Sequence, residues 1–150
     1  MQFRSFEDII VWQESRKLVR AIRTLCKSDV IKKDFVFVDQ ITRAVRSISA
    51  NIAEGNDALT VPEFIAYLGY AKRSAAEVRS HLYDALDENY ISMRELDELS
   101  NLTCKICSML AKLMHHLQKL DVDRRRTLKR ASNAVEKTNK QKNEQTVIAG

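Results

Sequence analysis

The sequence is poor in the residues that make tight turns and disulfides. Its 150 residues include three glycines, one proline and three cysteines. A β-sandwich or β-barrel needs many turns, so this composition favours long helices joined by short loops. The odd number of cysteines, without a secretory leader, argues against a disulfide scaffold and for a reducing compartment. The N-terminal MQFRSFEDII is charged from its start and does not read as a signal peptide.

Long apolar runs are also missing, since none approaches the length of a membrane span. We therefore expect a cytoplasmic protein without membrane contact. The net charge of +5 is unevenly distributed: residues 1–120 contain 17 Lys+Arg and 16 Asp+Glu, whereas residues 121–150 contain 8 and 4. The high isoelectric point belongs mostly to this tail, so it does not by itself make the folded body a nucleic-acid binder.

Apolar residues at helical spacing predict the first two helices. The first starts at SFED, where Ser5 can cap the helix and Asp8 completes a variant capping box. The second runs from about Phe35 to Ala53, and Gly55 is its predicted C-terminal stop. The predicted core residues are Val11, Ser15, Leu18, Val19, Ile22, Leu25 and Cys26 in the first helix and Ile41, Ala44, Val45, Ile48 and Ile52 in the second.

The third and fourth helices have the clearest start signals. In LTVPEF, Thr60 and Glu63 form a capping box, and Leu59 and Phe64 have the spacing of a hydrophobic staple. The sequence ISMREL repeats both devices, with Ser92 as the cap of the fourth helix. An apolar stripe then follows each start, and it ends near Leu86 in the third helix and near Leu120 in the fourth.

These segments predict an all-α fold, an up-down-up-down antiparallel four-helix bundle formed by residues 1–120. After Asp121 the sequence has few large apolar residues and many Lys, Asn and Gln. We interpret residues 121–150 as a basic tail, a fraying helical extension followed by disorder, and therefore largely disordered.

A polar line flanks the core stripe of the second helix, within an arc of about 80°. A matching line on the third helix carries Arg73 and Glu77, so Arg43 can pair with Glu77 and Arg73 with Glu54. Such pairs need mutual hydrogen bonding, because an unpaired half-buried charge is costly. These side chains either fix helix packing and the subunit interface or contact a ligand or RNA. The line on the second helix consists of Gln40, Arg43, Ser47, Asn51 and Glu54.

Four segments together resemble the four-helix-bundle proteins encoded in intervening sequences of bacterial 23S rRNA genes. They are FEDIIVWQESRKLV, QITRAVRSISANIAEG, EFIAYLGYAKRSAAEVRSHL and NYIS, in the family's order, and the resemblance covers residues 3–120. Lys72-Arg73-Ser74 departs from the family's usual Arg-Gly-Ser. The specific motif consists of Arg43, Ser47, Asn51, Ile52, Ala53, Glu54 and Gly55.

The resemblance implies a homopentameric ring of bundles, no enzymatic activity, and association with ribosomal RNA or the ribosome. A more distant resemblance is to the accessory protein of diversity-generating retroelements. That resemblance implies the same bundle and pentamer, and binding to nucleic acid and to a reverse transcriptase.

Two basic clusters are candidate nucleic-acid-binding residues. The cluster on the first helix spans an arc of about 60°, and Trp12 beside it offers a stacking surface. The alternative is a solvated helix face. Ile9 and Trp12 lie outside the core stripe and indicate a second buried surface, most simply a contact with another subunit. The tail cluster can bind any polyanion, and a pentamer would display five copies of it. The clusters are Arg16, Arg20, Arg23 and Lys27 in the first helix and Arg124, Arg125, Arg126, Lys129 and Arg130 in the tail.

The sequence CKIC, from Cys104 to Cys107, is a lone C-x-x-C inside a predicted helix. Zinc and redox sites usually present this motif at a turn, with a second pair of ligands elsewhere. His115 and His116 lie more than two helical turns away, so we interpret the cysteines as buried small apolar residues. Three glycines cannot make a phosphate-binding loop. We predict no catalytic residue, no cofactor and no metal.

Three functional hypotheses remain open. The first is a non-enzymatic module associated with ribosomal or other structured RNA. The second is a scaffold that holds a protein partner, such as a reverse transcriptase, near nucleic acid. The third is a structural bundle whose basic tail is incidental.

Overall fold

The chain forms four α-helices. The structure is a computed structural model that describes the backbone of residues 4–148 and the side chains of residues 4–136, and this part of the chain contains no strand. The all-α prediction is therefore confirmed for the described residues. The helices are α1 (Ile10–Leu25), α2 (Phe35–Asn56), α3 (Val61–Asp87) and α4 (Met93–Ile148). Two short 3-10 turns precede α1 and α2, at Phe6–Asp8 and Ile31–Lys33.

The helices enclose one apolar core. Helix α1 packs against α2, α2 against α3, α3 against α4, and α4 against α1, which agrees with the predicted up-down-up-down order. Every predicted core position of α2 is buried, as are Leu18 and Ile22 in α1. Full burial of one such aliphatic side chain contributes about 1.5–3 kcal/mol to folding. The side chains at the centre are fully buried: Leu18, Ile22, Ile41, Ile48, Ile52, Leu68, Leu82, Ile106 and Leu110.

The start of α1 differs from the prediction. Ser5 makes no side-chain capping hydrogen bond, Phe6–Asp8 is a separate 3-10 turn, and α1 begins at Ile10. Ile9 between them is extended, with φ −77° and ψ 112°, and its side chain is only 2% exposed. The predicted Ser5 cap is wrong, because the Ser5 side chain makes no capping hydrogen bond. The predicted subunit contact of Ile9 is also wrong, because Ile9 is buried within its own chain and a helical wheel does not apply to an extended residue.

Asp34 links the start of α2 to the connection between α3 and α4. Its Oδ1 accepts a hydrogen bond from the Phe37 backbone N–H at 3.0 Å, and its Oδ2 accepts one from the Tyr90 hydroxyl at 2.9 Å. The Phe37 and Tyr90 rings meet edge to face at 5.5 Å. The Phe37 N–H first, and the Tyr90 hydroxyl second, lower the pKa of the Asp34 carboxyl.

Asn89 ends α3 in the left-handed region, with φ 58°. The Asn89 N–H donates to the Leu86 carbonyl at 2.9 Å, and the Tyr90 N–H donates to the Ala85 carbonyl at 2.8 Å. These two bonds form a Schellman motif, in which asparagine is the residue that replaces glycine best. The motif places the Tyr90 side chain where it reaches Asp34.

Gly55 does not end α2, although the sequence predicted it as the C-terminal stop of this helix. Helix α2 continues to Asn56, and Gly55 has no positive φ, so it is not the predicted stop. A Cβ at Gly55 would lie 2.6 Å from Phe64 Cδ2 and 2.8 Å from Tyr67 Cβ. Gly55 is therefore needed for the close approach of α3 to α2.

The start of α3 matches its predicted capping box. The Glu63 N–H donates to Thr60 Oγ1 at 3.3 Å, and the Thr60 hydroxyl donates to Glu63 Oε2 at 3.4 Å. The predicted staple is wrong, because Leu59 is 96% exposed while Phe64 is buried.

Helix α4 continues well past Leu120, the predicted end of its apolar stripe. Residues 122–136 are all exposed, and three of them, Arg124, Arg125 and Leu128, line a groove beside the connection between α2 and α3. The helical part of the predicted tail is present. The division of the chain at residue 120 and the largely disordered character of the tail stay predictions, and the side chains beyond Glu136 lie outside the described residues.

Candidate nucleic-acid interface

Asn51 and Ser47 belong to a hydrogen-bonded cluster at the seam between α2 and α3. The Asn51 amide donates to the Ser47 carbonyl at 2.8 Å and to Ser47 Oγ at 3.0 Å. The Ser74 hydroxyl, on α3, donates to Ser47 Oγ at 2.9 Å and is 9% exposed. The Ser74 bond joins the two helices through neutral groups, while both Asn51 bonds lie within α2 and hold Ser47, the acceptor of that bond. Ser74 carries no independent signal in the sequence, because an isolated serine on a helix is common.

Neither predicted ion pair across this seam forms. The Arg43 guanidinium instead pairs with Asp39, four residues earlier in α2, at 2.9 Å. The Arg73 guanidinium lies 4.6 Å from the centre of the Tyr70 ring. Partners one helical turn away are closer to a long exposed side chain than partners on the next helix. The other charged or polar members of the two predicted lines are exposed: Gln40, Glu54 and Glu77.

Four arginines line a groove between α1 and α2, which we call the arginine groove. Its volume is about 420 Å³. Helix α1 contributes one wall, because Arg16, Arg20 and Arg23 recur at helical spacing on its exposed face. Helix α2 contributes the other wall through Arg46 and small residues. The lining residues are Trp12, Arg16, Val19, Arg20, Arg23, Arg46, Ser49, Ala50 and Ala53.

Four guanidinium groups give the arginine groove its positive charge, and Arg20 also lines a neighbouring groove that contains Glu95 and Glu98. None of the described residues that line the groove is acidic. Within residues 4–136, none of the four arginines forms an ion pair. A concave surface of one charge sign concentrates counter-ions, so this groove favours a polyanion. Arg46 was missing from the predicted cluster because it lies on another helix, and only packing brings it near α1.

Trp12 lies at one end of the arginine groove and is half-buried. Its ring meets Phe6 edge to face at 5.0 Å, and the Arg16 guanidinium lies 5.2 Å from its centre. The Phe6 contact fixes the ring, and the Arg16 contact shows that the ring can hold a cation over its face. Lys27 is exposed but does not line the groove. The predicted subunit contact of Trp12 stays a prediction.

Glu14 holds α1 in the orientation that exposes the arginine groove. Its carboxylate is buried, pairs with Lys105 of α4 at 2.8 Å, and also pairs with Lys17. The hydrogen bond from Lys105 first, and the one from Lys17 second, lower the pKa of the Glu14 carboxyl. These contacts keep this carboxylate engaged away from the groove. The burial of Glu14 was not predicted, because a single glutamate on a charged helix gives no signal of burial.

The tail cluster lies on the exposed extension of α4 and is partly neutralised. Arg125 pairs with Asp121 at 2.8 Å, and the Arg126 guanidinium lies 3.9 Å from the Asp123 carboxylate. The remaining members form no ion pair within residues 4–136: Arg124, Lys129 and Arg130. Arg124 and Arg125 line a second groove, of about 590 Å³, beside the connection between α2 and α3, but Asp121 is part of its lining and pairs with Arg125.

The cysteines are not a buried pair. Cys104 is exposed, which corrects the prediction, while Cys107 is half-buried and burial raises the pKa of its thiol. Thr103 and Ile106 take the core-facing positions of this turn, and one residue further along turns a side chain about 100° away.

Among the described side chains, no group of three or more His, Cys, Asp or Glu is placed to hold a metal ion. None of the described helices is long and apolar enough to cross a membrane.

The fold and the groove define a class, the small all-helical bundle proteins with a basic flank. The sequence pattern of the 23S rRNA-intervening sequence proteins matches residues 7–112, and the chain belongs to this family. It is also similar to a crystal structure of a protein with unknown function from the S23 ribosomal protein family of Bacteroides thetaiotaomicron. The two chains share 28% sequence identity and a TM-score of 0.66, over 71% of this chain and 96% of that one. A comparison with curated protein sequences finds no match.

Proposed function

We propose that this protein is a non-enzymatic, RNA-associated module of the bacterial cytoplasm, and that the arginine groove is its phosphate-binding surface. One observation carries the proposal: four guanidinium groups share a groove without a carboxylate among its described lining residues. Arg43 and Arg94 are paired with Asp39 and Glu98, whereas none of the four arginines of the groove pairs with a carboxylate of the described residues. Guanidinium groups left without one bind phosphate well, because their fork geometry matches phosphate oxygens.

The family supports ribosomal or other structured RNA as the ligand class. Its description refers to sequences that interrupt 23S rRNA. We further propose that the protein acts as a homo-oligomer, a pentamer by its resemblance to ring-forming bundles. Several copies of a weak phosphate-binding groove would bind one RNA more tightly than a single copy does.

A direct test measures RNA binding as a function of salt concentration. The probe is a fragment of 23S rRNA, and the variant is the triple substitution Arg16→Ala, Arg20→Ala and Arg23→Ala. Each phosphate contact contributes about 0.7–0.9 to the slope of log K against log salt, so we expect the slope to fall by roughly 2 to 3. Because these side chains are exposed, the thermal melt should stay unchanged.

Two full-length controls separate the groove from charge in general. One replaces exposed basic residues outside the groove, Arg43, Arg73 and Arg79, by alanine. The other replaces Arg124, Lys129 and Arg130 by glutamine, which removes the members of the tail cluster that form no ion pair within residues 4–136. We expect both controls to retain most of the binding. If the tail variant loses binding and the groove variant does not, the groove is not the phosphate-binding surface.

A second candidate function is a scaffold for a protein partner such as a reverse transcriptase. The observation that favours it is the exposed apolar side chains on the α4 extension, with Leu128 61% and Val135 59% exposed. RNA binding that does not depend on the groove, together with a partner that requires Leu128, would support this second candidate instead.

A further inference from the structure

The arginine groove has two kinds of surface. The four arginine side chains are exposed, while Val19, Ala50, Ala53 and Trp12 form an apolar part of the lining, which we call the apolar floor. A double helix keeps its bases stacked inside and offers the protein mainly phosphate and sugar. If a duplex bound in the groove, the apolar floor would contact no base, because the bases stay stacked inside the duplex. A single strand offers both kinds of group at once, because its phosphates and the faces of its bases are accessible together.

We infer that the arginine groove selects single-stranded RNA, with the phosphates on the α1 arginines and a base stacked on Trp12. This inference rests on the proposed function, and it names the form of RNA that the groove takes. It places the unpaired segment of a structured RNA, such as a loop or an end, in the groove.

The spacing of the arginines suits a strand that runs along α1. Arg16, Arg20 and Arg23 are separated by four and three residues, which a rise of about 1.5 Å per residue converts to roughly 6 Å and 4.5 Å along the helix axis. Their side chains are long and exposed, so each can follow one phosphate of a flexible strand. Arg46 on the facing wall can contact a further phosphate or the edge of a base.

The α2 wall leaves room for the bases. Its contribution between the arginines consists of Ser49, Ala50 and Ala53, and none of these side chains extends far from the helix. A strand with its phosphates on α1 turns its bases towards this wall. Small side chains there permit contact with any base, which predicts little dependence on base sequence.

Trp12 supplies the stacking surface. Phe6 holds its edge, and the Arg16 guanidinium covers one face in the free protein. A base can take the place of this guanidinium, and Arg16 then turns to a phosphate. Base–aromatic stacking of this kind contributes enough affinity that its loss lowers binding by roughly 5- to 150-fold.

Trp12 is the one tryptophan of the chain, so its fluorescence reports on the groove directly. The probes are a 12-nucleotide oligouridine, a 12-nucleotide oligoadenosine and a blunt-ended RNA hairpin whose stem contains the same number of phosphates and whose loop is a non-nucleotide ethylene glycol linker, so that it presents no unpaired base. We expect both single strands to quench Trp12 emission and to bind at least tenfold more tightly than the hairpin stem. The full-length protein is used throughout.

Two substitutions test the stacking contact. Trp12→Leu should lose roughly 5- to 150-fold in affinity for the single strands and nothing for the hairpin, whereas Trp12→Phe should keep part of the affinity. The matched control is Tyr83→Leu, which removes an aromatic ring that is 52% exposed on α3, away from the groove. It should bind as the unsubstituted protein does.

The outcomes separate the inference from the proposed function. If the hairpin binds as tightly as the single strands and Trp12 emission does not change, single-strand selection is overturned. In that case the proposed function still stands, provided that alanine at Arg16, Arg20 and Arg23 weakens hairpin binding. If the triple substitution affects neither RNA, the proposed function fails, and the inference fails with it.

Discussion

Whether Gly55→Ala raises or lowers the free energy of unfolding depends on how closely α2 and α3 pack. Replacing glycine by alanine inside a helix normally raises the free energy of unfolding by up to about 1 kcal/mol. At Gly55 the new methyl group would meet Phe64 Cδ2 at 2.6 Å and Tyr67 Cβ at 2.8 Å. The Phe64 ring can turn slightly, but Tyr67 Cβ is fixed to the α3 backbone. Helix α3 must therefore move away from α2, where the two helices pack.

The cost of this movement exceeds the gain. Adding a methyl group to a closely packed site costs about 1–3 kcal/mol. Gly55 is the second-last residue of α2, so the gain in helix propensity is below its interior value. We expect Gly55→Ala to lower the free energy of unfolding by about 1–2 kcal/mol. With a urea dependence of about 1–3 kcal/mol per M, the midpoint should fall by roughly 0.3–2 M.

Gly69 provides the matched control. It lies inside α3, also without a positive φ, and a Cβ there would have Met114 Cε as its nearest neighbour at 4.0 Å. Gly69→Ala should therefore raise the free energy of unfolding by about 0.5–1 kcal/mol. Urea denaturation followed by circular dichroism, at one fixed protein concentration, measures both variants. If Gly55→Ala is as stable as Gly69→Ala, the close approach of α3 at Gly55 does not constrain the fold.

Three further predictions concern the contacts that hold the helices together. Asn51→Ala removes two hydrogen bonds at the seam and should cost about 1–2 kcal/mol in urea denaturation, and an unchanged midpoint would contradict the packing role. The lowered pKa of Glu14 stabilises the fold above the carboxyl's ordinary value of 4.5, and this stabilisation is lost as the pH falls through the lower value in the folded protein. Lys105→Met should weaken that acid dependence in thermal melts between about pH 6 and pH 3, whereas an identical pH profile would show that the pair does not form. Asn89→Gly should leave stability unchanged or raise it, while Asn89→Val should cost about 1–2 kcal/mol because valine resists positive φ; equal melting temperatures for the two variants would refute the Schellman motif.

Local patterns predicted most of the helical architecture. The apolar stripes of α2 and α3 predicted which residues are buried, because one helix turn repeats a fixed geometry that depends only on residue spacing. The capping box of Thr60 and Glu63 was predicted for the same reason, since both residues lie within one turn. The basic stripe of α1 was also predicted, and its exposure follows from its position opposite the core.

The candidate site was predicted only in part. One wall of the arginine groove belongs to a single helix, so its arginines could be identified from their spacing. Arg46 could not, because its distance from Arg16 depends on how α1 and α2 pack. The ion pairs proposed for Arg43 and Arg73 failed for a related reason: a pair across two helices requires side-chain directions and distances that no spacing within one helix supplies.

The sequence by itself determined the number and type of the helices, their core faces and two basic clusters, because these depend on interactions between residues a few positions apart. Tertiary structure decided the extended conformation of Ile9, the close contact at Gly55, the burial of Glu14 beside Lys105, and the groove that Arg46 completes. Each of these depends on two segments that are distant in the chain and meet only when the helices pack.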